Sequence, residues 1–489
     1  MCYFWKLIII ICNRDKKTNM QLSGKTRTEH DLLGEMEIPV EYYHGIQTVR
    51  AVENFNISRS KLFHYPKFVN ALADVKAAAA VANHQLGLLD EKIKNAIVQA
   101  CKEIKDGALH EFFVVDMIQG GAGTSVNMNA NEVIANRALE ILGHEKGEYK
   151  YCHPNNHVNL SQSTNDAYPT ALHLAVYNSI GDLIESYKKI VVAFRNKSLE
   201  FKDIIKMGRT QLQDAVPMTL DQEFEAFAVI LEAEVEHLVQ SRSQLCETNM
   251  GATAIGTGIN SDPEYASLCT KHLADISGTP VVLADNLIAA TSDTSVFVLN
   301  SSIIKKGAVK LSKISNDLRL LASGPRTGFG EINLPPMQPG SSIMPGKVNP
   351  VIPEVVNQIA FKVIGNDLTV SMASEAGQLQ LNVMEPIMAL SILESIEILI
   401  EGIETLRIRC VEGITANEDR CRDLVMNSIG LVTAINPYLG YEASTKLASE
   451  ALHSGRGVYD LVLESGLIEK EKLDDILKPE NMVQPRKMN

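Results

Sequence analysis

Five long segments of this sequence carry apolar residues at the spacing of an α-helix. In residues 171–194, Leu172, Val176, Ile180 and Leu183 fall on one face of a helix with 3.6 residues per turn. Comparable stripes run through residues 221–246, 295–322, 352–372 and 390–410. Each is longer than 20 residues, whereas the mean helix of a globular protein has about 12. We therefore expect a mainly α protein with a central bundle of five long helices.

Several of these predicted helices are apolar on more than one face. In the segment 390–410, Ile392, Ile396 and Leu399 form one stripe, whereas Ile398 lies on another face of the helix. A single bundle of five helices cannot bury so much apolar surface, so other copies of the chain must cover part of it. The sequence therefore predicts an oligomer whose long helices pack together.

The rest of the chain divides around this central region. Residues 27–162 mix short helical patterns with Gly- and Asn-rich connections, residues 163–414 hold the long stripes, and residues 415–489 form a small helical domain. No window between the stripes alternates like a strand, so we expect little sheet. The apolar run LIIIIC within residues 1–26 is too short to cross a bilayer, which takes about 20 residues. We expect this segment to be a disordered extension or an upstream start absent from the natural protein.

The charge of the chain indicates which kinds of partner it can bind, and its cysteine content indicates the compartment. The net charge of −13 argues against nucleic acid or an anionic membrane surface as the main partner. The eight cysteines are scattered without a Cys-x-x-Cys pair, which is typical of reduced thiols in the cytoplasm. His153 and His157 have the spacing of metal ligands, but no third ligand lies nearby. The sequence therefore indicates no metal site and requires no cofactor, although activation by a divalent cation would leave no mark in it.

Four polar segments interrupt the apolar framework, and each precedes a predicted helix. They are GGAGTSVNMNANE (120–132), HPNNHVNLSQSTNDAYPT (153–170), GRTQLQDAVPMT (208–219) and GSSIMPGKVNP (340–350). The patterns place one helix over residues 131–142 and begin the first long helix near Pro169. Short polar residues before a helix are also the usual N-caps, so each segment alone fits capping as well as an anion site.

Neither glycine-rich segment matches a nucleotide motif. Five residues instead of four separate Gly340 from Gly346, and Val348 stands where a Walker A loop has the hydroxyl that binds magnesium. Val126 occupies the last glycine position of a dinucleotide fingerprint, and no strand precedes it. The anion, if there is one, is therefore not a nucleotide phosphate.

The segment GSSIMPGKVNP is similar to the signature G-S-S-x-M-P-x-K-x-N-P of the fumarase and aspartase superfamily and agrees with it at every fixed position. The resemblance covers nearly the whole chain from about Arg27. Further segments that resemble the family are DLLGEMEIP, VRAVENF, QGGAGTSVNMNANEV, STNDAYPT, GRTQLQDAVPMTLDQEF, GATAIGTGIN, SNDLRLLASGP and AGQLQLNVMEP. The resemblance implies a three-domain fold whose five long helices form the common core of a homotetramer. It also implies active sites where three subunits meet.

The same resemblance implies which residues act. Ser341 would be the base that removes a proton from the carbon beside a carboxylate, with Ser342 next to it on a mobile loop. The resulting aci-carboxylate carries two negative charges and forms only if fixed donors already face its oxygens. The residues implied to bind the substrate are Thr124, Ser163, Thr164, Asn165, Thr210, Gln211, Ser342, Lys347 and Asn349.

Two positions bear on the leaving group. Class II fumarases have a histidine where this chain has Gln211, and they differ at the segment containing Ser125; both departures are similar to the aspartase branch. In fumarases that histidine pairs with a glutamate matching Glu354, which here lacks such a partner. The resemblance therefore implies elimination of ammonia from L-aspartate to give fumarate. A class II fumarate hydratase and a non-catalytic helical scaffold remain as alternatives, and the intact Ser341 and Lys347 argue against the scaffold.

Overall fold

The structure is a computed structural model, and it describes residues 22–484. Most of the extension expected at residues 1–26 lies outside the described residues. The strands form four two-stranded sheets, β1 with β2, β3 with β4, β5 with β6 and β7 with β8. The strands are β1 (Thr26–Asp31), β2 (Gly34–Pro39), β3 (Ile205–Thr210), β4 (Gln213–Thr219), β5 (Glu247–Thr248), β6 (Val282–Leu283), β7 (Ile332–Asn333) and β8 (Thr415–Ala416). The prediction of little sheet is confirmed.

Seventeen α-helices make up most of the described chain. They are α1 (Ile46–Asn54), α2 (Pro66–Gln85), α3 (Glu91–Lys105), α4 (Thr124–Ile141), α5 (Thr164–Glu200), α6 (Leu220–Ser243), α7 (Tyr265–Ser277), α8 (Leu287–Ser292), α9 (Ser295–Leu321), α10 (Val351–Glu375), α11 (Glu385–Arg409), α12 (Glu418–Met426), α13 (Leu431–Leu439), α14 (Tyr441–Ser454), α15 (Val458–Ser465), α16 (Lys470–Ile476) and α17 (Pro479–Met482). The five longest are α5, α6, α9, α10 and α11, and each covers one of the five apolar stripes. The prediction of a mainly α protein with five long helices is therefore confirmed.

The chain divides into two compact units. Within the described residues, the first comprises residues 22–182, 238–304 and 365–397, and the second comprises residues 183–237, 305–364 and 398–484. The unit boundaries fall within long helices, so they do not coincide with the division at residues 163 and 415. The three-domain organisation stays a prediction.

The core of the first unit is built around α2. This helix packs against α3 and α7, and its central run Ala77–Ala80 is buried. Small side chains let neighbouring helices approach closely without leaving voids. Near the start of α2, the ring of Phe68 meets the edge of Tyr168 with 5.3 Å between ring centroids. These contacts fix the start of α5 within the first unit, because Tyr168 lies in its second turn.

The first unit also buries an acidic side chain, Glu385, in the first turn of α11. Burial raises the pKa of this carboxyl from 4.5 to about 8. The folded state therefore binds more protons than the unfolded state between about pH 4.5 and 8, and stability is lost as pH rises through that window.

Replacing Glu385 with glutamine should remove this pH dependence. We expect Glu385→Gln to be more stable than wild type at pH 8 by about 2–4 kcal/mol and to lose most of that advantage at pH 5. Urea unfolding at both pH values measures the difference. The matched control is Glu375→Gln at the exposed end of α10, and an equal gain there at pH 8 would contradict the explanation.

The second unit has an aromatic core and a smaller C-terminal one. Phe194 and Phe201 of α5 pack against Phe224 of α6, with ring centroids 6.0 and 5.0 Å apart. Met207 on β3 is buried in a cluster with residues of α12 to α16, including Val425. The packing of Met207 in this cluster anchors the hairpin of β3 and β4. The tip of the hairpin lies at the surface.

Candidate active site

The first polar segment enters α4 through a run of left-handed backbone. Gly121, Ala122 and Gly123 have φ values of 90°, 53° and 87°, a conformation that favours glycine. Thr124 is the first residue of the helix, and its side chain is exposed at that end. Its hydroxyl donates to the carbonyl oxygen of Gly121 at 2.7 Å, so the turn holds this side chain in place.

Helix α4 begins at Thr124, whereas the sequence predicted its start at residue 131. Asparagine is a weak helix former because its amide competes for backbone groups. In this helix the amides are occupied elsewhere: Asn129 donates to the carbonyl oxygen of Phe112 at 2.8 Å, and Asn127 donates to Thr164 Oγ1 at 3.2 Å. These tertiary partners remove the competition, and the helix extends through the asparagine-rich stretch.

Gly123 leaves no room for a side chain. A Cβ there would overlap the ring of the buried Tyr168, in addition to the cost of a positive φ. We expect Gly123→Ala to destabilise the protein by about 2–4 kcal/mol. The matched control is Gly143→Ala just after the same helix, where φ is 83° and a Cβ would meet nothing within 4 Å. Its expected cost is about 1 kcal/mol. Thermal unfolding compares the two variants, and equal losses would show that Tyr168 plays no part.

The second polar segment starts α5 with a capping box. The hydroxyl oxygen of Ser163 accepts the backbone N–H of Asn165 at 3.3 Å, and the Asp166 carboxylate accepts the backbone N–H of Ser163 at 2.9 Å. The helix therefore begins at Thr164 and not near Pro169 as predicted. Pro169 has no N–H for the carbonyl oxygen of Asn165. The side-chain amide of Asn249 donates to that oxygen instead, at 3.0 Å.

Asp166 also fixes a second loop beside this turn, a role that the sequence analysis did not assign. Its other carboxylate oxygen accepts the backbone N–H groups of Gly251 and Thr253 at 3.1 and 3.0 Å. The side chain of Asn165 donates to the carbonyl oxygen of Ala254 at 2.8 Å. Burial raises the pKa of Asp166 to about 6, although the backbone N–H groups of Ser163 and Thr253 oppose this rise. The Asp166 carboxylate and the Asn165 side chain therefore both tie the turn 163–165 to the second loop.

A buried lysine, also missed from sequence, lies behind the same turn. Lys76 is 0% exposed, and its ammonium donates to the side-chain oxygens of Asn127, Asn159 and Gln162 at 2.6, 2.9 and 2.8 Å. Burial lowers its pKa to about 7, and the negative charge of Asp166 opposes that change. The available signal was a single lysine inside the alanine-rich stretch DVKAAAAVAN.

The third polar segment forms the β3–β4 hairpin in the second unit. Thr210 ends β3 and pairs with Gln213, and the two turn residues Gln211 and Leu212 have φ values of 56° and 61°. Such a turn usually contains Asn-Gly or Asp-Gly, which explains why the sequence indicated only a polar stretch before a helix. The structure places Thr210 and Gln211 on the exposed tip.

An ion-pair cluster anchors this hairpin. Arg209 donates to the carboxylate of Glu331 at 2.8 Å and lies over the ring of Phe329, 4.0 Å from its centroid. Lys206 approaches the other oxygen of Glu331 at 3.3 Å. Because Glu331 is 0% exposed, both cations are needed to compensate its buried charge. Arg209, which directly precedes Thr210 at the tip, is therefore anchored by this ion pair.

The fourth polar segment is a loop closed at its base. The backbone N–H of Gly340 donates to the carbonyl oxygen of Lys347 at 2.7 Å, and the side-chain amide of Asn349 donates to the carbonyl oxygen of Gly340 at 2.6 Å. A Cβ at position 340 would lie 2.7 Å from the Lys347 oxygen. The close approach of the two sides of the loop therefore requires glycine at this position.

Within the loop, the oxygen of Ser341 faces two donors. It accepts the backbone N–H groups of Ile343 and Met344 at 3.2 and 3.0 Å. Hydrogen bonds to an oxygen favour its anionic form. Ser342 and Lys347 are exposed on the same loop, and within residues 22–484 the Lys347 ammonium has no ion-pair partner. The hydroxyl oxygen of Ser341 can therefore carry negative charge, and the ammonium of Lys347 can bind an anion.

The residues expected to bind the substrate fall into two groups. Thr124, Ser163, Thr164 and Asn165 lie in the first unit, where Asn127 bridges α4 to the start of α5. The second unit holds Thr210, Gln211, Ser342, Lys347 and Asn349, together with Ser341, the residue expected to be the base. The first group offers hydroxyls and an amide, and the second offers hydroxyls, amides and the ammonium of Lys347; all of these can donate hydrogen bonds to an oxyanion.

In the part of the chain from residue 22 to 484, no group of three or more His, Cys, Asp or Glu residues is placed to hold a metal ion. None of the helices in that part has both the length and the apolar character needed to cross a membrane.

Three features define the class of this protein as a lyase of the fumarase and aspartase type. They are the long helices, the capped turn 163–165 and the serine loop, which is the segment 340–350 with Ser341 and Lys347. A sequence profile described as "Lyase" matches residues 34–365, and one described as "Fumarase C C-terminus" matches residues 431–484. The chain belongs to this lyase family.

Individual relatives refine this assignment. An aspartate ammonia-lyase from Helicobacter pylori is 60% identical over 459 residues, which cover 94% of this chain and 98% of the relative. A crystal structure from Brucella melitensis, titled fumarate lyase:delta crystallin and bound to cobalt, is similar with a TM-score of 0.92 and 53% identity, covering 94% of this chain and all of that one. A class II fumarase from Schistosoma mansoni has a TM-score of 0.90 but 34% identity, with the same coverage.

Proposed function

We propose that this chain catalyses the reversible elimination of ammonia from L-aspartate to give fumarate. The observation that carries the proposal is the 60% identity to the Helicobacter pylori aspartate ammonia-lyase over 98% of that enzyme. The class II fumarase from Schistosoma mansoni shares the fold at 34% identity, which does not favour hydration of fumarate as the activity.

Ser341 is the base in this reaction. Its oxygen removes the proton from the carbon beside one substrate carboxylate, and the electrons move onto that carboxylate to give the aci-carboxylate. The two N–H groups of Ile343 and Met344 support this role because they lower the cost of negative charge on the serine oxygen. Gly340 and Gly346 allow the loop to close and exclude water.

The donors around the turn 163–165 and on the two exposed loops hold the carboxylates. Thr124, Ser163, Thr164 and Asn165 supply one group, and the residues on the hairpin tip and the serine loop supply the other. To donate to the substrate, the Thr124 hydroxyl turns away from the Gly121 carbonyl oxygen that it meets in the structure. Lys347 supports this reading most strongly, because its charge is not compensated within the described chain. Fixed donors stabilise the doubly charged intermediate more than the substrate, and this difference accelerates the reaction.

The identity of the leaving group agrees with Gln211 on the hairpin tip. The amino group of L-aspartate is already protonated when the C–N bond breaks, so it takes the bonding electrons and leaves as neutral ammonia, which needs less acid assistance than hydroxide does. Gln211 offers no group that titrates near neutral pH. Among residues 22–484, the carboxylate of Glu354 has no hydrogen-bond partner, so the pairing with an imidazole expected of a fumarase is absent there.

The assembly is a cytoplasmic homotetramer whose sites take residues from different subunits. Exposed apolar side chains on α10 support this, since Phe361, Leu368 and Met372 are 64%, 61% and 64% exposed. A patch of large apolar residues on a long helix marks a surface that another chain covers. Size-exclusion chromatography with light scattering should give four copies of the chain, and a monomer would contradict this part of the proposal.

The substrate assignment has a simple test. The purified protein is given L-aspartate or, separately, L-malate, and fumarate is followed by its ultraviolet absorbance. We expect fumarate to form from L-aspartate. Turnover of L-malate alone would replace the proposal with a hydratase, and turnover of neither would favour a scaffold without activity.

A further inference from the structure

The ammonium of Lys76 determines which way three side-chain amides point. A lysine ammonium has donors but no acceptor, so the oxygens of Asn127, Asn159 and Gln162 must face it. Their NH2 groups must therefore point away from Lys76. The orientation of these amides follows from the chemistry of their common partner, and not from the shape of the side chains alone.

The NH2 group of Asn127 has two hydrogens, and both have acceptors. One goes to Asn159 Oδ1 at 3.1 Å and the other to Thr164 Oγ1 at 3.2 Å. Thr164 is therefore the acceptor in its contact with Asn127. If the amide of Asn127 were reversed, its oxygen would face Thr164, and Thr164 would become the donor.

The direction of this bond decides where the Thr164 proton can go. Since the Thr164 oxygen accepts from Asn127, its own O–H must point elsewhere. No acceptor for it occurs among residues 22–484. The hydroxyl is half-buried at the first position of α5, where free N–H groups of the helix also favour an anion.

We propose that Lys76 is a positioning residue that acts through Asn127 to hold the Thr164 hydroxyl with its proton directed at a substrate carboxylate. This rests on the proposed function, in which Thr164 is one of the carboxylate donors. Lys76 itself does not touch the substrate, because it is 0% exposed. It also makes the site sensitive to a residue in the centre of α2.

The decisive variant is Asn127→Asp. A carboxylate at this position still accepts from Lys76, so the buried cation keeps its partner and the fold is supported. It has no N–H, so it accepts from Thr164 instead and turns the threonine proton away from the substrate. We expect kcat/KM for L-aspartate to fall about 10- to 100-fold, the effect of losing one hydrogen bond to a charged group. The thermal unfolding midpoint should fall by about as much as in the control Asn131→Asp, because each variant loses one N–H donated to Asn159 Oδ1.

Asn131→Asp is the matched control. Asn131 lies one turn further along α4 and joins the same network through Asn159 Oδ1 at 3.1 Å, but it does not contact Thr164. It receives the same change of charge, and its kcat/KM should stay close to that of wild type. An equal loss in both variants would overturn the proposal, because it would assign the effect to charge in the network and not to the direction of the Thr164 bond.

A double-mutant cycle separates positioning from general structural damage. In a Thr164→Val background the threonine proton is already gone, so Asn127→Asp should cause little further loss of kcat/KM. Lys76→Met provides a second cycle with Thr164→Val should the first variant fold poorly, and it too should be non-additive. Additive losses, or wild-type activity of Asn127→Asp, would overturn the proposal. Failure of the wild-type protein to use L-aspartate would instead remove the function on which it rests.

Discussion

Replacement of Ser341 by alanine will lower kcat with L-aspartate by about a thousandfold, in the range expected when a general base is removed. The serine oxygen is the group in the serine loop that both accepts two backbone N–H groups and belongs to the family signature. Its side chain lies outside the apolar cores, so the unfolding midpoint and the size of the assembly should not change. Steady-state kinetics and thermal unfolding on the same preparation measure both quantities.

Ser341→Asn is the control for the shape of the loop. An asparagine oxygen accepts the same two backbone N–H groups in an equivalent turn, but an amide oxygen is far too weak a base to take the proton. This variant should be as inactive as the alanine variant while keeping the loop closed. If either variant retained more than about a tenth of the wild-type kcat, Ser341 would not be the base, since general-base catalysis is worth at least about a hundredfold.

Replacement of Lys347 by methionine should lower kcat/KM by about 100- to 1,000-fold, as when one preorganised donor to an oxyanion is lost. The methionine keeps most of the length of the side chain and removes its charge. Because Lys347 is exposed and lacks an ion-pair partner within residues 22–484, the loss should fall on substrate use and leave stability unchanged. Initial rates over a range of L-aspartate concentrations measure the effect.

Lys446→Met on α14 controls for the loss of one positive charge. Lys446 is also exposed and pairs with Glu442 of the same helix at 3.3 Å, far along the chain from the serine loop. Its kinetics should match those of wild type. A small effect of Lys347→Met, similar to that of Lys446→Met, would show that the lysine of the family signature does not hold a carboxylate in this chain.

The long helices were predictable because their apolar periodicity is a local property of the sequence. Where they begin depends on contacts that periodicity does not report. Helix α4 begins at Thr124 and not at the predicted residue 131, because distant groups accept the hydrogen bonds of the Asn127 and Asn129 amides. Helix α5 passes through Pro169 because Asn249 satisfies the carbonyl oxygen that the proline leaves free.

Parts of the candidate site were hidden for a similar reason. The β3–β4 hairpin turns on Gln211 and Leu212, two residues that rarely adopt a positive φ, and the ion pair of Arg209 with Glu331 that anchors it joins positions far apart in the sequence. Lys76 is a single lysine in an alanine-rich stretch of sequence, and its role depends on three amide partners from other segments of the chain. The sequence motif was enough to find the serine loop. The contacts of Lys76 behind the turn 163–165 could be found only in the structure.

The reverse reaction in deuterium oxide tests the central claim most directly. The purified protein is incubated with fumarate and an ammonium salt in D2O, and the products are followed by proton NMR. Ammonia adds to one carbon of fumarate and a solvent deuteron to the other. We predict L-aspartate with a single deuteron on the carbon that does not receive the amino group, formed at a rate that depends on ammonium. Formation of malate at a rate independent of ammonium would contradict the assignment of this chain as a carbon–nitrogen lyase.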